Sequence, residues 1–205
     1  MKSYFRTYDE LAASWVAGNC SYDAHTAKRR MFCEGNRIYS YGGHFKIAHK
    51  WQAPDTGREW FLLTERTYSP TTRTHIKAVC SAIPDCQRVY LPSVDDLGRD
   101  MAPASYKRLN PNFTINLARS DAKESDLGVL VLHHELSRLD ESAGTYLRKL
   151  KPYEPECLFM QFESARDSVA RFGLELPARV DCLREQCISH YHRRASKNAV
   201  QSLAA

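Results

Sequence analysis

The chain has 205 residues, 43% of them hydrophobic, and 29 lysines and arginines against 24 aspartates and glutamates, for a formal charge of +5. That apolar content suffices for a sizeable core and no apolar run approaches the ~18 residues of a spanning helix, so composition excludes a disordered or transmembrane chain and predicts a soluble one without a membrane partner. The positive balance is small and interspersed with acid, a weak electrostatic pull toward nucleic acid, and only Lys28-Arg29-Arg30 and His190-Tyr191-His192-Arg193-Arg194 gather basic residues locally.

The first residues, Met1 to Arg6, lack the continuous apolar segment of a secretory signal, so the seven cysteines, an odd number, are expected to be reduced thiols. Thr7-Tyr8-Asp9-Glu10 has capping-box spacing and predicts a short helix with Leu11 and Trp15 on one face and Gly18-Asn19 as its stop. Residues 20–27 read as a connection.

From Arg29 the pattern turns to β. Arg29 to Cys33 and Arg37 to Tyr41 read as paired strands around the turn Glu34-Gly35-Asn36. Gly42-Gly43 permits a bulge, and His44 to Trp51 then alternates, with Phe45, Ile47, His49 and Trp51 toward the core. Glu59 to Thr64 is apolar on both faces, as a central strand would be. Ser69-Pro70 is an N-cap followed by the one helical position that welcomes proline, and Ile76, Val79, Cys80 and Ile83 recur at helical spacing after it. Thr71 and Thr72 therefore sit in a first helical turn, where hydroxyls either cap the helix or help hold an anion. Gln87 to Leu91 is a further strand.

Ser40-Tyr41-Gly42-x-His44-Phe45-x-Ile47-Ala48, followed by Tyr68-Ser69-x-Thr71-Thr72-x-x-His75-x-x-x-Val79-x-x-Ala82-Ile83, resembles a family of small uncharacterised proteins carried by bacteriophages and plasmids. The resemblance covers roughly residues 36–91 and departs from the family pattern at Pro70, where a small polar residue is expected. It implies a mobile-element origin and action in the host bacterial cytoplasm, and brings no established chemistry with it.

Residues 93–119 read as a connection between an α+β region, 1–92, and a helical region, 120–205. In the latter, Asp121 and Glu124 form a capping pair, and three stripes follow at helical spacing: Leu132, Leu136, Leu139, Ala143, Tyr146 and Leu150; Leu158, Phe162, Ala165, Val169 and Phe172; Val180, Leu183, Cys187 and Tyr191. Such stripes are more often core than partner surface, although the spacing also allows a homodimer through these C-terminal helices.

Metal chemistry is disfavoured. Cys182-x4-Cys187-x2-His190-x-His192 carries ligand types, but on one helix the two cysteines face different ways, and in His133-His134-Glu135 the second ligand position of a zinc-protease helix is occupied by Arg138. No cofactor is expected. The sequence thus predicts an α+β fold, a small mostly antiparallel sheet with one or two helices followed by three C-terminal helices. As function, the resemblance implies a non-enzymatic phage or plasmid accessory protein that acts by binding, foremost by interfering with a host complex that handles nucleic acid or mounts defence, and otherwise by binding nucleic acid directly. The candidate binding residues are Tyr41, His44, Tyr68, Ser69, Thr72, Arg73 and His75, with Lys28, Arg29, Arg30, Arg193 and Arg194 for phosphates. The competing expectation is a metal-free nuclease or other hydrolase in which His44 and His75 move protons.

Overall fold

The computed structural model describes residues 1–43, 45–67, 69–92, 94, 117–148 and 155–203. These divide into two compact units, one built from the residues up to Val94 with Leu117–Asp126, the other from Leu127 onward. The expected fold class holds: a seven-stranded, mostly antiparallel sheet with two helices, and three helices in the C-terminal part.

The order is β1 (Lys2–Phe5), α1 (Tyr8–Val16), β2 (Cys20–Thr26), β3 (Met31–Glu34), β4 (Arg37–Ser40), β5 (Lys46–Gln52), β6 (Glu59–Thr64), α2 (Pro70–Ala82) and β7 (Arg88–Leu91), with short 3-10 turns at Ala27–Arg29 and Asp85–Gln87. The strands lie in the sheet in sequence order. β1 and β2 are parallel, each pair from β2 to β6 is antiparallel, and β6 and β7 are parallel again. An even number of reversals separates the two parallel pairs, so both point the same way, and α1 and α2 both begin at the edge where β1, β2, β4 and β6 end. That edge is where the polar residues collect.

Two expectations are corrected here. Residues 20–26 are a strand rather than a connection, preceded by another at Lys2–Phe5. The reason is that β1 buries only Phe5 and β2 only Ala24 and Thr26, so neither carries an alternating apolar pattern. The apolar strand β6 is flanked on both sides as its buried faces require, but it stands next to last in the sheet rather than at the centre.

One sheet face packs under α1 and α2: Leu11, Trp15 and Val79 from the helices meet Met31, Ile38 and Phe61 from the strands. On α1 the hydroxyl half of the expected capping box forms, with Thr7 Oγ1 accepting from the Glu10 amide at 3.1 Å, while Glu10 Oε2 reaches past the N-cap and accepts from the Arg6 amide at 3.2 Å. Trp51 and Trp60 are buried as well, and their indole N–H groups donate to the Leu117 carbonyl at 2.8 Å and to Glu124 Oε1 at 3.1 Å.

The second unit consists of α3 (Glu124–Arg148, whose first turn belongs to the first unit), α4 (Pro155–Ala170) and α5 (Ala178–Leu203). Asp121 does not cap α3; it pairs with Arg119, and the Glu124 amide is instead taken by Asp55 Oδ1 at 2.9 Å. Leu136, Leu139, Ala143, Phe162, Ala165 and Cys187 form the core of this unit, from all three expected stripes, while Leu150 lies outside the described residues. Among the described residues no helix is long and apolar enough to cross a membrane.

Candidate functional site

The edge where α1 and α2 begin carries a cleft of about 460 Å³ bounded by Arg6, Thr7, Tyr8, Asp9, Thr26, Ala27, Lys28 and Arg30. Its floor comes from the end of β2 and the turn into β3, and its wall from the start of α1. Tyr8 and Asp9 are the first helical residues, so their amides have no acceptor within the helix, and the positive end of the helix dipole adds to them. Arg6, Lys28 and Arg30 are exposed, and none of these three side chains has a hydrogen-bonded or ion-paired partner among the described residues. Three cations face one carboxylate, Asp9. Free amide donors at a helix start, with the positive end of the dipole behind them, favour an anion at this edge.

The backbone around the cleft is strained. Lys28, Arg29 and Tyr41 adopt left-handed φ values of 57°, 48° and 51°, and they are the only non-glycine residues to do so among those described. Each such residue costs ~1–2 kcal/mol. Arg29, taken at the sequence level together with its neighbours, is drawn away from them: it pairs with Asp23 at 2.8 Å and lies over the Phe32 ring at 4.6 Å. The amide of Tyr41 donates to the Arg30 carbonyl at 2.9 Å, so the basic turn and the Ser40-Tyr41 motif, ten residues on, form one piece of structure.

Behind the cleft lies His75, on the second turn of α2 and 0% exposed. Its Nδ1 is 2.7 Å from Ser40 Oγ. Its ring stands edge-on to Tyr8 with centroids 4.2 Å apart and is tilted against Tyr41 at 5.5 Å. Burial, and secondarily the nearby Arg30 charge, push its pKa down to about 4, so the imidazole is neutral at physiological pH. Ser69 and Thr72 serve the helix: Ser69 Oγ accepts from the Thr72 amide at 3.1 Å and lies 3.0 Å from Thr72 Oγ1. Arg73 is exposed on the same first turns. The structure therefore brings together Lys28, Arg30, Tyr41 and His75, with Ser69 and Thr72 as the cap that positions His75. His44 and Tyr68 lie outside the described residues.

Sequence reasoning passed over Arg6 and Tyr8, whose importance comes from topology alone. The available signal was the capping box at Thr7: strands on both sides of a short helix would have placed its start at a strand-end edge.

Arg193 and Arg194 belong to the second unit, where they border a separate cleft of about 600 Å³ with His190, His192 and Ser196. Burial and the Arg194 and Arg193 charges lower the pKa of His190. These residues sit well inside α5, whose amides are already bonded within the helix, so this cleft has side-chain donors only. Cys187 is buried and Cys182 exposed, and among the described residues no three histidines, cysteines or carboxylates converge as metal ligands. Arg138 binds Glu135 at 2.6 Å, which accounts for the acidic member of His133-His134-Glu135. Comparison with protein-family models, curated proteins and solved structures returned no match.

Proposed function

We propose that this protein acts by binding rather than catalysis, that its ligand is the phosphate backbone of nucleic acid, and that the contact surface is the cleft at the start of α1. The observation that carries the reading is the set of three unpaired cations, Arg6, Lys28 and Arg30, converging beside free helix-start amides. His75 supports binding over proton transfer, since it is fully enclosed, 0% exposed, and out of reach of a substrate. In the phage or plasmid setting that the resemblance implies, such a protein would work in the host bacterial cytoplasm by occupying nucleic acid that host handling or defence complexes need. A direct grip on such a host complex is the alternative form of the same binding role.

The test is recovery of the tagged protein from bacterial lysate with and without nuclease, beside the Lys28→Glu/Arg30→Glu variant. Nuclease-sensitive recovery of nucleic acid that the variant loses is the expected result. Nucleic acid recovered equally by both proteins, or only host protein recovered in a nuclease-resistant complex, would overturn it.

A further inference from the structure

Tyr41 is the half-exposed ring at the candidate site, 41% accessible, and its backbone is held in the left-handed region that glycine would occupy without cost. What holds it there is the hydrogen bond its amide donates to the Arg30 carbonyl at 2.9 Å, which joins the tyrosine to the basic turn at the floor of the cleft. From Tyr41 the rings continue inward, to His75 at 5.5 Å and from His75 to Tyr8 at 4.2 Å, and Tyr8 lines the cleft. The Tyr41 ring thus leans on His75 alone, with much of its surface open to a ligand.

We infer that the nucleic acid held at this site is single-stranded, with an unpaired base stacked on Tyr41 and the adjoining phosphate in the Arg6, Lys28 and Arg30 cleft. The inference rests on the phosphate-binding reading above and adds the class of strand. A duplex offers phosphates and groove edges but hides its base faces in its own stack, so it has nothing to lay on an exposed tyrosine. A single strand offers both, and a cationic groove beside an aromatic platform is how unpaired strands are held without sequence preference. The chemistry is common to DNA and RNA single strands.

The experiment is fluorescence anisotropy of the full chain with labelled oligothymidine, oligouridine and a mixed-sequence duplex, for wild type, Tyr41→Leu, Tyr41→Trp and Lys28→Glu/Arg30→Glu. Wild type should bind one or both single strands more tightly than the duplex, and the two single-strand arms show whether the sugar matters. Tyr41→Leu should weaken single-strand binding about ten-fold or more, and Tyr41→Trp should restore it. Should Tyr41→Leu fail to fold, quenching of the exposed tryptophan of Tyr41→Trp by the single strand gives the answer, and unchanged emission overturns the inference. Duplex binding equal to or tighter than single-strand binding, or indifference to Tyr41→Leu, would also overturn it while leaving the phosphate reading intact. Binding of neither form would remove both.

Discussion

Ser40 Oγ and His75 Nδ1, 35 positions apart in the chain, lie 2.7 Å from each other in the interior of the first unit and tie the end of β4 to the second turn of α2. Both side chains are buried, so the bond has no water to replace it. Ser40→Ala should therefore lower unfolding stability by about 1–3 kcal/mol, the usual penalty of stranding a buried polar atom. Chemical denaturation measures this, and an unchanged midpoint would show that the contact is not structural.

Acid should act through the same histidine. An unfolded chain protonates histidine near 6.5, but folded His75 is pushed down to about 4 by burial and, less, by Arg30. Between those values the unfolded state binds more protons, so the stability contribution is complete above 6.5 and is lost as pH falls toward 4, on the order of 3 kcal/mol in all. His49, also held at about 4 by burial, with Arg37 and Lys46 adding to it, should contribute in the same window. Denaturation midpoints taken between about pH 7 and 5, above the carboxylate range, should fall for wild type and fall less for His75→Asn. Equal slopes would contradict this.

In the second unit, Gly128 on α3 has no room for a side chain: a Cβ there would stand 2.7 Å from Phe172 Cβ. Gly128→Ala should gain up to ~1 kcal/mol of helix propensity yet lose about 1–3 kcal/mol to overpacking, for a net fall in melting temperature. A rise would mean that Phe172 moves aside without cost.

Cys20 and Cys33 place their sulfurs 3.4 Å apart, and burial with the neighbouring Cys20 thiol pushes Cys33 up to about 12. The thiolate is the reactive form, so an alkylating agent should label the exposed Cys86, Cys157 and Cys182 of the folded protein and leave the buried Cys33 unlabelled until the chain is denatured. Peptide mapping of the labelled protein checks this. Labelling of Cys33 at the rate of the exposed cysteines would contradict it.

What the sequence revealed follows from where the information lies. The Thr7 and Ser69 caps, the apolar run of β6 and the three C-terminal stripes depend on residues a few positions apart, and each was readable. β1 and β2 were not, because Lys2, Ser3 and Tyr4 are exposed and β2 buries little, so nothing local distinguishes them from loop. The Glu124 amide is capped by Asp55 from a turn far away in sequence, which no local pattern encodes. The candidate site was legible in fragments: Lys28, Arg30, Tyr41 and His75 each drew attention for separate reasons. Their meeting with Arg6 and Tyr8 depends on two parallel strand pairs that point the same way, a property of the whole sheet.

The most direct test of the phosphate-binding account is the salt dependence of single-strand affinity, measured for wild type and for Arg6→Ala, Lys28→Ala and Arg30→Ala. Each lost phosphate contact should reduce the log–log slope by about 0.7 and weaken binding at low salt, while Arg193→Ala and Arg194→Ala leave the slope unchanged. A slope unaltered by the three cleft variants, or altered only by the Arg193 and Arg194 variants, would contradict the account.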